Sequence, residues 1–253
     1  MRSHYGELFL PDDEGDGPFP VAVVLHGGFW RARYGRKLMH PVCRDLAARG
    51  WAAWNLEYRR LGRLSGGGWP ATFEDVAAGV DHLAELAVPR GRDPATGALL
   101  DLSRVVAIGH SAGGHLAAWA AARAGLPDGA PGASPRVTVT AAVSQAGVVD
   151  LRLAWELQLS GGVVGRLLDG DPQRRPERYA LASPAERLPL GVPVLLTHGG
   201  RDDIVPPAIS ERFLAAARQA GDACDLHLEP DEDHFGHIDP GNPLWTAVVE
   251  WLG

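Results

Sequence analysis

Arg104-Val105-Val106-Ala107-Ile108-Gly109-His110-Ser111-Ala112-Gly113-Gly114-His115-Leu116-Ala117-Ala118-Trp119 decides the fold. An apolar, partly β-branched run enters Gly-x-Ser-x-Gly, and a small-residue stretch leaves it. Strand, sharp turn and helix in that order form a nucleophile elbow, in which bulky flanking side chains would collide and the serine is held in a strained backbone. The strain lifts the hydroxyl above the sheet at a helix N-terminus, where backbone N–H groups can receive negative charge. A bare Gly-x-Ser-x-Gly also arises by chance in a chain with 32 glycines. The strand before it and the Ala-rich helix after it separate this copy from chance.

Working outward, apolar runs alternate with amphipathic stretches. Strands are predicted at Val21–Leu25, Trp51–Leu56, Val105–Ile108, Val137–Val143, Val192–Leu196 and Ala223–Leu228. Helices are predicted at Lys37–Arg49, Thr72–Ala87, Pro207–Ala220 and Pro243–Leu252. Thr72 with Asp75 has the form of a capping box. Glu7–Leu10, ahead of a turn over Pro11–Pro18, is expected to add an antiparallel edge strand. Strands joined by helical crossovers imply an α/β fold with a mostly parallel sheet, helices on both faces and functional groups at the carboxyl ends of the strands. Two segments break the rhythm. Pro127–Pro135 is expected to be a solvated loop, and residues 151–189, with no convincing strand, a lid over the carboxyl edge.

The 253 residues, 45% of them hydrophobic, suit a single domain spanning 1–253 with the lid inserted in it. A net charge of −7 with no basic stripe argues against a nucleic-acid partner. Cys43 and Cys224 stand apart and are expected as unpaired thiols, as in a reducing cytoplasm. The first residues lack the apolar core of a signal peptide, and no stretch is long enough to span a bilayer. The expectation is therefore a cytoplasmic protein with no membrane partner; a homodimer remains open.

A nucleophilic serine needs a base, and the base an orienting acid, in the chain order Ser, acid, His after such an elbow. Past the strand ending near Leu196 stand Asp202 and Asp203, which compete for the acid; the turn suits Asp202 pointing inward and Asp203 outward. After the last strand comes His234, with His237 behind it. Two histidines among carboxylates could instead bind a metal, but no recognised metal-site spacing occurs, so no metal is expected. His26-Gly27-Gly28-Phe29-Trp30 follows the first buried strand and can aim N–H groups into the site. The backbone N–H of Ala112 and that of Gly28 or Phe29 are the candidate oxyanion donors. His26 and His198 are expected to brace loops, His110 and His115 to pack around the elbow, and His4, His40, His82 and His227 to be surface or filler residues.

With these residues in view, the chain resembles the α/β-hydrolase fold over nearly its whole length. Gly109–Ala117 and His26–Trp30 resemble the elbow and oxyanion loop of small bacterial esterases related to hormone-sensitive lipase and to feruloyl and acetyl-xylan esterases. The oxyanion loop also resembles that of kynurenine formamidases, and His198-Gly199-x-x-Asp202-x-x-Val205-Pro206 is shared with prolyl oligopeptidase-type peptidases. Tyr179–Pro184 looks like the segment that closes the lid region in the esterases. The resemblance implies Ser111, Asp202 and His234 as nucleophile, acid and base, no cofactor, and cleavage of small soluble carboxylic esters through an acyl-enzyme. Two glycines before Phe29, rather than three, and His110 where many relatives of hormone-sensitive lipase carry Asp, pull toward the formamidase and feruloyl-esterase side. Compared with the full fold, the N-terminus starts late. The alternatives are an aryl-formamide hydrolase with a narrow aromatic pocket, for which Trp30 and Trp69 are candidates, a peptidase-like hydrolase, and a binding protein without turnover.

Overall fold

The computed structural model describes residues 5–11, 17–87 and 99–253. Seven strands form one sheet in the order β1-β3-β2-β4-β5-β6-β7. They are β1 (Tyr5–Phe9), β2 (Phe19–Leu25), β3 (Ala52–Glu57), β4 (Leu100–His110), β5 (Ala141–Gln145), β6 (Val194–Gly199) and β7 (Cys224–Glu229). Only β1 runs antiparallel, pairing with β3 at the edge as expected. The turn expected over Pro11–Pro18 falls mostly outside the described residues, as does His4.

The strand period separates two apolar layers. Val21, Val23 and Leu25 of β2 face one layer; Ala22 and Val24 face the other. The first layer takes the helices α2 (Ala71–Asp81), α4 (Ala112–Ala122) and α8 (Ala208–Ala220); the second takes α1 (His40–Ala48) and α9 (Pro243–Leu252). Helices thus cover both faces, which is why β2 and β3 read as continuous apolar runs. Every residue of α4 is buried, as a helix at the centre of the first layer must be.

Three local expectations are corrected. Thr72 and Asp75 do not form a capping box: Thr72 Oγ1 donates to Arg59 O at 2.6 Å, and Asp75 accepts from the Arg59 guanidinium. Tertiary polar partners captured both side chains. The helix over Thr72–Ala87 breaks at His82 and resumes as the short α3 (Leu83–Leu86). The strand expected from Val137 begins only at Ala141; Val137 and Val139 are buried off the sheet, so their apolar character reflects packing rather than pairing. In the Pro127–Pro135 loop, Gly132 sits against Trp119 and its carbonyl accepts from Arg123 Nε at 2.7 Å, so this connection is docked as well as solvated.

Residues 151–189 carry α5 (Leu151–Glu156), α6 (Leu159–Leu168) and α7 (Pro176–Ala182), with no strand. The segment docks on the back of the elbow helix: His115 Nε2 donates to Ala182 O at 2.9 Å and Trp119 Nε1 to Leu181 O at 3.0 Å. It also meets the loops that follow β2 and β3, through Arg31 to Ser160 O and Trp69 N to Leu167 O.

Candidate active site

β4 and β5 run in register to His110 and Gln145, and the Ser111 N–H donates to Gln145 O at 2.7 Å, which places Ser111 at the carboxyl edge near the middle of the sheet. Ser111 has φ 57° and ψ −118°, a conformation that costs a non-glycine residue about 1–3 kcal/mol. The packing of α4 beneath it overdetermines that strain.

Just past β6, Asp202 is buried while Asp203 is exposed, so of the two competing acids Asp202 alone reaches inward. Its Oδ1 accepts from the N–H groups of Ile204 (2.9 Å) and Val205 (2.8 Å); its Oδ2 accepts from His234 Nδ1 at 2.6 Å. His198 Nε2–H, which donates to Val205 O at 2.8 Å, lies 3.3 Å from the same Oδ2. Burial alone would push the Asp202 carboxyl up, but the hydrogen bonds from His198 and His234 outweigh it and hold it well below the usual carboxylate range. An ionised carboxylate at Nδ1 leaves Nε2 of His234 as the acceptor nitrogen. Among the described residues neither that Nε2 nor Ser111 Oγ has a hydrogen-bond partner. Such contacts commonly close only around substrate.

His237 belongs elsewhere. It is fully buried, with Nδ1 bonded to Thr197 Oγ1 at 3.0 Å and its carbonyl accepting from Gln145 Nε2. His110 does more than pack the elbow. Its Nε2 donates to the His234 carbonyl at 2.8 Å and its ring lies 4.6 Å from the His234 ring, so the residue before the serine fixes the loop that carries the candidate base. Position alone gave no signal of that link, since it joins residues far apart in the chain.

The loop after β2, the candidate oxyanion loop, is a left-handed turn. Gly28, Phe29 and Trp30 have φ of 107°, 50° and 54°, and Arg31 N closes the turn on Gly28 O at 3.0 Å. His26 Nε2 anchors the loop's start on Glu57 Oε1 at 2.9 Å, and Leu61 N holds its end by donating to Trp30 O at 2.6 Å. The N–H groups of Gly28 and Phe29 have no acceptor among the described residues, and that of Ala112, first in α4, lies outside the intrahelical ladder. The pocket expectation for Trp30 is corrected: it is fully buried, edge-on to His115 with ring centroids 5.2 Å apart, and lines no open surface. Trp69 is half-buried and edge-on to Phe73 at 5.0 Å, and its backbone N–H donates to Leu167 O of α6. Among the described residues no cluster of His, Cys, Asp and Glu could hold a metal ion. No helix among them is long and apolar enough to cross a membrane, and Cys43 and Cys224 are both free and buried.

The buried imidazoles make stability depend on pH. Burial, reinforced by the neighbouring charge of His234, pushes His110 down to about 3; burial pushes His115 down to about 4 and His237 in the same direction. A depressed folded-state value means stability that is complete above the ordinary imidazole range and is lost as pH falls toward the folded value, because the unfolded chain takes up the protons first. Between pH 7 and pH 5 the expected loss is about 2 kcal/mol for each of His110 and His115, from a gap of about 1.5 units at ~1.4 kcal/mol each. Urea unfolding at the two pH values measures it. Equal stability would mean that these rings are protonated inside the fold.

The parallel sheet, the strained serine turn and the strand-end acid and histidine define an α/β-hydrolase. The chain belongs to the BD-FAE family, whose model matches residues 7–216. It is 30% identical over 224 residues to the esterase LipQ of Mycobacterium tuberculosis, an alignment covering 85% of this chain and 49% of LipQ. The chain spans about half the length of the curated relatives it matches. Among solved structures, a truncated carbohydrate esterase from gut microbiota superposes with a TM-score of 0.80 at 22% identity, covering 100% of this chain and 90% of that one. The butyrate-bound esterase Est2 of Thermogutta terrifontis gives 0.73 at 22% identity, over 97% of this chain and 86% of its own. At that identity the two structures speak to the fold.

Proposed function

We propose that the chain hydrolyses small carboxylic esters through an acyl-enzyme on Ser111, with His234 as base and Asp202 as its orienting acid. The observation that carries this reading is the 2.6 Å Asp202–His234 hydrogen bond at the sheet edge where the strained Ser111 turn stands. His234 Nε2 takes the Ser111 proton as Oγ bonds to the acyl carbon, and the carbonyl oxygen becomes an oxyanion facing the N–H groups of Ala112, Gly28 and Phe29. As the oxyanion collapses, the C–O bond to the alcohol breaks and His234 hands its proton to the leaving oxygen. Water then gives a proton to His234, bonds to the acyl carbon and releases the acid, and Ser111 recovers its hydrogen. Residues 151–189 serve as the lid over this site, and the unpaired thiols favour a cytoplasmic setting. The esterase names of the curated relatives support ester over formamide chemistry. So does the burial of Trp30, which removes half of the aromatic pocket that a formamide substrate would use.

The test is hydrolysis of p-nitrophenyl esters from acetate to octanoate, with N-formylkynurenine alongside. Ester turnover with an optimum at short acyl chains is expected. Formamide turnover well above ester turnover, or silence on every ester, would overturn the proposal.

A further inference from the structure

Two strained turns are joined by one side chain. One is the oxyanion loop, where Phe29 and Trp30 are left-handed without being glycine. The other is in the lid, where Gln158, Ser160, Gly161 and Gly162 have φ of 52°, 48°, 68° and 71°, so the entry to α6 makes a left-handed turn before the right-handed helix begins. L-residues avoid this region, and runs of it persist only where the surroundings hold them. The left-handed turn exposes the Ser160 carbonyl, and Arg31 Nη2 donates to it at 2.6 Å. Through its backbone, the same Arg31 closes the oxyanion turn on Gly28. One residue therefore holds a charge-assisted hydrogen bond to the lid at one end and the geometry of the oxyanion donors at the other.

We infer that Arg31 is a positioning residue for the ester reaction: its bond to Ser160 O couples the seating of the lid to the aim of the Gly28 and Phe29 N–H groups. A lid that swings away takes the Ser160 carbonyl with it, and the turn loses its side-chain tie to the lid while its bonds to Leu61 and Glu57 remain. The inference rests on the ester-hydrolase reading above. Because the donors matter most for the transition state, the coupling acts on kcat rather than on ground-state binding.

The experiment is steady-state hydrolysis of p-nitrophenyl acetate by four variants. Arg31→Ala should lower kcat on the order of tenfold to a hundredfold, as expected for a misaimed oxyanion donor, with KM nearly unchanged. Arg31→Lys, whose ammonium can still reach the carbonyl, should recover most of that loss. Gly161→Ala probes the lid side without touching the loop. A Cβ there meets nothing within 4 Å, so its effect comes from disfavouring the left-handed turn, and a smaller fall in kcat is expected. The double variant Arg31→Ala/Gly161→Ala should be no slower than Arg31→Ala alone, since both break one link. Multiplying losses in the double variant, a change confined to KM, or no rescue by Lys would overturn the inference. Hydrogen exchange across residues 26–34 separates this from the parent reading. If the wild type cleaves no ester, faster exchange there in Arg31→Ala and Gly161→Ala still establishes the coupling, and unchanged exchange refutes it.

Discussion

Ser111→Ala is expected to lower kcat for p-nitrophenyl ester hydrolysis on the order of a millionfold while leaving the fold intact. Without Oγ no acyl-enzyme forms, and the Asp202–His234 pair has no proton to move. What remains is the slower attack of water helped by the oxyanion donors, which in such sites still stands about a thousandfold or more above the uncatalysed rate. The fold should survive, because Ser111 Oγ holds no hydrogen bond among the described residues, and its backbone is fixed by the Ser111 N–H to Gln145 O bond, which alanine keeps. A covalent readout makes the test independent of substrate choice. Incubation with paraoxon should add one diethylphosphoryl group to the wild type and none to the variant, read by intact mass. The esterase 2 of Thermogutta terrifontis, alike in fold, is phosphorylated by the same compound. Turnover or labelling that persists in Ser111→Ala would move the chemistry to another residue and end the proposal.

The elbow and the strand-end residues were legible because each is set by a local requirement. Gly109, Ser111 and Gly113 obey the sterics of one turn, and Asp202 and His234 stand where a strand releases the chain above the sheet. The choice between Asp202 and Asp203 was open to the same reasoning, since adjacent turn residues face opposite ways. What stayed hidden depends on partners distant in sequence. His110 reaching the His234 carbonyl and Arg31 meeting Ser160 both join segments that come together only once the sheet is assembled. Trp30 misled for a related reason. An aromatic residue beside an oxyanion loop suits a pocket and a core equally, and only its neighbours His115 and the α4 layer decide for the core. Thr72 and Asp75 carried a local signal, yet the Arg59 side chain and carbonyl outcompeted the helix end for both.

Gly113→Ala is expected to destabilise the protein by at least about 3 kcal/mol, at or beyond the upper end of ordinary overpacking. A methyl group on Gly113 would overlap the Leu25 carbonyl oxygen and lie 2.7 Å from the His26 oxygen. Both are backbone atoms at the end of β2, so no rotamer change relieves the clash. Either α4 lifts off the sheet, which unpacks the buried Leu116 and Trp119, or the end of β2 shifts and carries the proposed oxyanion loop with it. Set against a net stability of about 5–15 kcal/mol for a domain of ordinary size, either response is severe. The two are distinguishable. Lifting of α4 should lower the urea midpoint and ester turnover together, whereas displacement of the loop should cut kcat further than the fraction unfolded explains. Gly125→Ala is the control, because a Cβ there meets only the flexible Arg187 guanidinium, at 4.0 Å. A Gly113→Ala protein as stable and active as that control would show that the close approach of α4 to β2 is not what the elbow glycine serves.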